Sequence, residues 1–152
     1  MQTKEAYHKL ALLCSRKEYC SSDLIQKMKK WDISSSQQEK IISDLKQEKY
    51  IDETRYAAAF VKDKFRFNKW GKQKIKYQLQ QKNISEFDID DAMLQITDID
   101  YIEMVKHLLI LKNKNVKGKS NYERKGKLLR FMIQKGFGID IVNKVVDQII
   151  ED

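Results

Sequence analysis

Apolar positions along this chain fall three and four residues apart, the period of an amphipathic helix, and polar or small residues interrupt the pattern at regular intervals. From Lys4 to Arg16 the residues Ala6, Tyr7, Leu10, Ala11 and Leu13 predict a first helix. Ser21 or Ser22 can cap a second, with Leu24, Ile25 and Met28 inward and Trp31 and Ile33 closing it. Ser36 and Glu39 then have capping-box spacing, which predicts a third helix with Ile41, Ile42 and Leu45 inward, ending near Tyr50.

The pattern then begins again. Asp52 can cap a helix running through Arg55, Tyr56, Ala57, Phe60, Val61 and Lys64. A basic connection from Asn68 to Gly71 leads to a helix with Ile75 and Leu79 inward. Ser85 caps the next, whose apolar positions are Phe87, Ile89, Ala92, Met93 and Ile96. A third round starts near Asp98 or Asp100 with Ile102, Val105, Leu108, Leu109 and Leu111. The segment Lys112 to Asn121 is polar, basic and glycine-containing and predicts a mobile loop. Ser120 with Glu123 again has capping-box spacing. The helix that follows presents Leu128, Phe131 and Met132 and stops at Gly136, and a last one carries Ile141, Val142, Val145, Val146 and Ile149.

These rounds superimpose at a period of about fifty residues, as repeat architectures do. Leu24, Ile75 and Leu128 fall in one column, Met28, Leu79 and Met132 in the next, then Ile33, Ile84 and Phe137. In the closing helices Ile41, Ala92 and Val145 coincide, then Ile42, Met93 and Val146, then Leu45, Ile96 and Ile149. The first helix of each round aligns only after a shift. The expected fold is all-α: three tandem three-helix repeats over residues 1–50, 51–97 and 98–152, forming an elongated, curved array. Units this short bury too little surface to stand alone and should share a core with their neighbours.

Composition agrees with helices. The 152 residues contain no proline and only 5 glycines, too few for a fold built on tight turns. No apolar run is long enough to span a bilayer and the first residues lack a secretory signal's apolar segment, so a cytoplasmic protein with no membrane association is expected. Cys14 and Cys20 have no metal-site spacing and read as buried or half-buried thiols. His8 and His107 read as packing or solvated residues. There is no phosphate-cradling glycine loop, nucleophile elbow or metal-binding helix pair. The paired acids Asp90 and Asp91 read as solvated surface. No catalytic residue, cofactor or metal is therefore expected, and a binding protein is expected in place of an enzyme.

Charge changes the picture most. The formal net charge is +8, which favours anionic partners. Its distribution is uneven. Closing helices are acidic through Glu39, Asp44 and Glu48, through Glu86, Asp88, Asp90 and Asp91, and through Asp140, Asp147 and Glu151, whereas the middle helices of rounds two and three are basic. From Lys62 to Lys82 the bases Lys62, Lys64, Arg66, Lys69, Lys72, Lys74, Lys76 and Lys82 are opposed only by Asp63. Lys69, Lys72 and Lys76 have helical spacing and form an expected stripe beside Ile75 and Leu79, while Lys127 and Arg130 share a face with Gln134. Such a stripe would engage phosphates independently of sequence. The candidate binding residues are Lys64, Arg66, Lys69, Lys72, Lys76, Lys127 and Arg130. Phe65, Phe67 and Trp70 are interleaved with bases and could stack on nucleobases, although packing between units is favoured for Trp70 and Phe60; Phe67 stays open between the two roles.

The stretch from Ile51 to Ile84 resembles the central motif of the RecX regulatory proteins, in which L-D-D-x-R-F-A leads to F-V, a basic residue, a glycine and R-I-x-x-E-L-x-x-K-G-I. The matching residues are Ile51, Asp52, Arg55, Tyr56, Ala57, Phe60, Val61, Gly71, Ile75, Leu79, Lys82 and Ile84. LLRFMIQKGF, Leu128 to Phe137, is similar to that family's basic helix ending in a G-F pair. ALLCSRKEYCSSDLIQKM resembles its opening, with Asp23 where Glu is usual. Glu53, Lys64, Lys74 and Asn83 depart from the motif; the lysines keep charge but lose the bidentate geometry of arginine. The resemblance implies a three-repeat helical protein that docks in the groove of a RecA recombinase filament on DNA, and a monomer is expected. There it would modulate, usually inhibit, strand exchange, ATP hydrolysis and repressor cleavage in DNA repair and the SOS response. A stand-alone, sequence-independent nucleic-acid binder and a scaffold for an acidic protein are the other classes the charge pattern permits.

Overall fold

The computed structural model describes residues 1–150, and Glu151 of the acidic closing helix lies outside them. Among the described residues there are nine α-helices and no strand: α1 Thr3–Arg16, α2 Ser21–Lys30, α3 Ser35–Gln47, α4 Glu53–Arg66, α5 Lys72–Gln81, α6 Glu86–Met93, α7 Asp98–Asn113, α8 Asn121–Gln134 and α9 Ile139–Ile149. They pack into two compact units. The first comprises Met1–Phe60 and Leu79–Ala92, the second Val61–Gln78 and Met93 onward. None of the helices is long and apolar enough to cross a membrane.

The repeat is written into the backbone as well as the core. The middle helix of each round ends on a residue of left-handed conformation: Asp32 (φ 57°), Asn83 (φ 61°) and Gly136 (φ 97°). One residue later an amide reaches back over the helix end, from Ile33 to the Met28 carbonyl, from Ile84 to that of Leu79 and from Phe137 to that of Met132, each at 3.1 Å. These are three copies of one Schellman closure, which satisfies carbonyls the helix end would leave orphaned. The side chains that bracket it are the columns seen in the sequence. Leu24, Met28, Ile75, Leu79, Leu128, Met132 and Phe137 are all fully buried, and Ile33 and Ile84 nearly so.

Several helix starts fall where the sequence puts them. Asp52 accepts from the Arg55 amide (3.0 Å), Ser85 from that of Asp88 (3.1 Å) and Ser120 from that of Glu123 (3.2 Å). Others differ. The cap of α3 is Ser34, which accepts from the Gln37 amide, so Ser36 lies inside the first turn. The cap of α2 is Cys20, one residue ahead of the expected serines, because Asp23 reaches back to the Cys20 amide (3.4 Å). Thr97 caps α7 through the Asp100 amide. Phe87, Ile102 and Leu111 are exposed rather than inward. In α7 the buried register is Tyr101, Val105, Leu108 and Leu109, one position earlier at its start than expected. The expected loop begins after Asn113, since α7 continues through Lys112.

In the first unit two residues of the resemblance motif serve architecture. Arg55 Nε donates to both Glu18 carboxylate oxygens (2.8 and 2.7 Å), and its Nη2 donates to the carbonyls of Lys49 and Tyr50, just past the end of α3. Lys82 Nζ donates to Asp23 Oδ1 at 2.6 Å. Burial alone would raise the Asp23 carboxyl, but the Lys82 bond and charge outweigh it and hold it below its ordinary value. Beside them Cys20 is buried and its thiol is pushed up to about 11, chiefly by that burial, and Cys14 is half-buried. His8 and His107 are exposed.

Left-handed backbone costs an L-residue about 1–2 kcal/mol, less for Asn, and glycine nothing. Melting curves should therefore rank position 83 in the order Gly, Asn, Ala. Asn83→Ala is expected to lower the melting temperature by about 2–4 °C, and an alanine variant as stable as the parent would contradict the assignment.

Candidate nucleic-acid interface

All seven sequence-predicted binding residues lie in the second unit. What positions them is a close meeting of the connection ahead of α5 with the end of α8. Gly71, at the start of α5, has no side chain with which to cap it. The helix's first amides are taken by tertiary partners: Gly71 N–H donates to the Lys135 carbonyl (2.7 Å), Lys72 N–H to the Tyr101 hydroxyl (3.0 Å) and Gln73 N–H to the Gly136 carbonyl (3.0 Å). The donors that α5 leaves open and the acceptors that α8 leaves open thus satisfy one another, and the positive end of one helix dipole faces the negative end of the other.

Two glycines make this approach possible. A Cβ on Gly71 would collide with the backbone of Gly136 and the Phe137 nitrogen, and a Cβ on Gly136 would collide with the backbone and Cβ of Lys74. Gly136 also needs its left-handed φ. Below the clasp, Tyr101 stacks on Phe137 (centroids 5.3 Å apart) and leans on Phe65 (6.1 Å). Burial raises the Tyr101 phenol, so it stays protonated while it accepts from Lys72.

Around the clasp the bases gather. Lys64, in the last turn of α4, places its ammonium 5.0 Å from the Trp70 ring centroid, and Lys74 comes over the same ring at 4.6 Å. Lys135 Nζ donates to the Asn68 carbonyl (3.2 Å). Its pKa is lowered first by burial and then by the charges of Lys74 and Lys69, so both stand close enough to Lys135 to repel its ammonium. On α8, Lys127 and Arg130 line a groove with Lys112, Lys117, Phe131 and Gln134. Phe131 joins the two groups, since Lys112 and Lys135 lie 4.8 and 6.0 Å from its centroid.

The expected stripe is only partly real. Lys69 is not on α5; it sits in the connection with φ 56°. Lys72 is the first residue of α5 and lays its ammonium over Tyr101 (4.7 Å), with Lys76 one turn further along the same helix and half-buried. Arg66 and Phe67 are exposed at the end of α4, Phe67 to 76%. Lys127 is partly spent on Glu123 (3.6 Å) and on the Lys117 carbonyl. Lys74, Lys112, Lys117 and Lys135 are additions that helical spacing did not single out. The local signal for two of them was the pair of glycines, because Lys135 adjoins Gly136 and Lys74 follows Gly71 by three.

A family model described as the second three-helix domain of RecX matches residues 52–93, and one for the third three-helix domain of RecX matches residues 99–146. A regulatory protein RecX of Chlorobium phaeobacteroides is 30% identical over 146 residues, covering 96% of this chain and 94% of that protein. One of Leuconostoc mesenteroides is 32% identical over 127 residues, covering 84% of this chain and 48% of that protein, so the chain spans about half the length of that relative. A crystal structure of regulatory protein RecX is similar with a TM-score of 0.87 and 28% identity over 95% of this chain and 73% of that one. The RecX of Lactobacillus salivarius, at 21% identity and a TM-score of 0.83, covers 96% of this chain and 95% of its own and speaks for the fold.

Gly136→Ala should cost about 2–5 kcal/mol in urea unfolding, from left-handed strain plus overpacking. Gly138→Ala, with φ −69° and only the Gln73 side-chain amide nearby at 3.3 Å, should cost under about 1 kcal/mol. Equal costs at the two positions would contradict the clasp.

Proposed function

The chain belongs to the RecX family, and from that footing we propose that it is a regulator that binds the RecA filament on DNA and lowers its recombinase, ATPase and coprotease activities during DNA repair and the SOS response. The observation that carries this reading is the basic face of the second unit, where Lys69, Lys74 and Lys135 crowd together while Lys112, Lys117, Lys127 and Arg130 line the adjoining groove. Surfaces of one sign attract a polyanion and speed encounter with it. The curated relatives are named regulatory proteins, and we read this chain likewise as a binding protein and not an enzyme. Its repeats are taken as residues 1–50, 51–97 and 98–152, and it is taken to act as a cytoplasmic monomer. Among the named candidates Lys64, Arg66, Lys69, Lys72, Lys76, Lys127 and Arg130, the ones we place nearest the polyanion are Lys69 and Arg130.

The basic face would also suit a nucleic-acid binder with no protein partner. The DNA-dependent ATPase of the cognate RecA separates the two. Inhibition is expected at ratios of protein to DNA too low to coat the strand; inhibition that only tracks DNA coverage would overturn the regulator in favour of the binder.

A further inference from the structure

Several lysines of this chain are answered by a carboxylate: Lys82 by Asp23 at 2.6 Å, Lys125 by Asp147 at 3.3 Å, Lys127 by Glu123 at 3.6 Å. Lys69, Lys74 and Lys135 are different. Among the described residues none of the three is ion-paired, although each is partly buried and the charges of Lys74 and Lys69 both bear on Lys135. Removing water from like charges without an anion is unfavourable, and the fold nevertheless holds them together, because Lys74 and Lys135 flank the two glycines of the clasp. Their neighbours restrict what could complete the cluster. At the N-terminus of α5 the amides of Gly71, Lys72 and Gln73 are already bonded and so not available to it. Two nearby rings already carry lysines, Trp70 with Lys64 and Lys74, and Phe131 with Lys112 and Lys135. A cation over an aromatic face is held by the ring's quadrupole, so part of its side-chain freedom is already lost before any ligand arrives.

We propose that Lys69, Lys74 and Lys135 form a clamp for the sugar–phosphate backbone of a nucleic-acid strand, and that Trp70 and Phe131 are rests for lysine side chains and not stacking platforms for bases. This rests on the reading that the basic face of the second unit meets the filament's nucleic acid, and it specifies which atoms are recognised there: phosphodiester oxygens, by three ammonium groups, without contribution from the bases. Stacking is worth about 1–3 kcal/mol per base to proteins that use it, so its absence is measurable.

The test is fluorescence anisotropy with labelled oligothymidylate and with an abasic strand of the same length, across a salt series. For the full chain, the two strands should bind within about threefold of each other, whereas loss of one stacked base would cost about fivefold or more. Each of Lys69→Gln, Lys74→Gln and Lys135→Gln should lower the slope of log affinity against log salt by about 0.7–0.9, and the triple variant by about two to three. The corresponding Lys→Arg variants, which keep the charge, should retain the slope and show that its loss is not unfolding. An unchanged slope in the triple variant, a tenfold loss on the abasic strand, or binding to phosphatidylserine vesicles in place of oligonucleotide would overturn the clamp. A triple variant that loses the strand yet still inhibits the RecA ATPase at low ratios would support the clamp and move the filament-binding face elsewhere. Intact strand binding with lost inhibition would overturn the clamp and leave the regulator reading in place.

Discussion

The second unit depends on a backbone-to-backbone contact in which the start of α5 is closed by the end of α8. Helix ends leave amides and carbonyls without partners, and an unsatisfied buried group costs about 1–3 kcal/mol. Here Gly71 and Gln73 donate to the carbonyls of Lys135 and Gly136, and the Tyr101 hydroxyl takes the Lys72 amide between them. The arrangement tolerates no Cβ at either glycine, so it is exacting about sequence at those two positions. It also has an electrostatic consequence. Lys72 adjoins Gly71 and Lys135 adjoins Gly136, so the contact that closes α5 also concentrates positive charge.

Aromatic residues settle where that charge points. Tyr101 is at once a cap, a core residue against Phe137 and Phe65, and a support for the Lys72 ammonium. Trp70 and Phe131 hold two lysines each. The result is a basic surface whose side chains are propped, next to a groove on α8 that adds Lys112, Lys117, Lys127 and Arg130. In the first unit the equivalent pressures are resolved internally, with Arg55 on Glu18 and Lys82 on Asp23. Charge that the motif places there serves the fold.

The fold was legible wherever it follows from local spacing. Three matching columns of apolar residues become three copies of one helix closure, down to the left-handed residue at 32, 83 and 136. Errors came where more than one local solution exists. Any of several serines could cap α3, and the choice of Ser34 over Ser36 depends on where the chain arrives from α2. On α7, apolar residues surround the helix, so periodicity alone could not choose Tyr101 over Ile102. The candidate site was less legible for a different reason. Spacing along one helix grouped Lys69, Lys72 and Lys76, but the cluster that forms joins residues some sixty positions apart through the Gly71–Gly136 contact. Nor can composition distinguish a solvated lysine from one, like Lys82, that is consumed by a carboxylate.

Hydrogen exchange at the amides of Gly71 and Gln73 tests most directly whether α5 is closed by α8. If the two carbonyls of the α8 end accept them, both amides should be protected to the same degree as that of Phe137, which is bonded within the same helix closure. Exchange at the rate of an open loop at Gly71 and Gln73, with Phe137 still protected, would contradict the clasp and with it the positioning of the basic face.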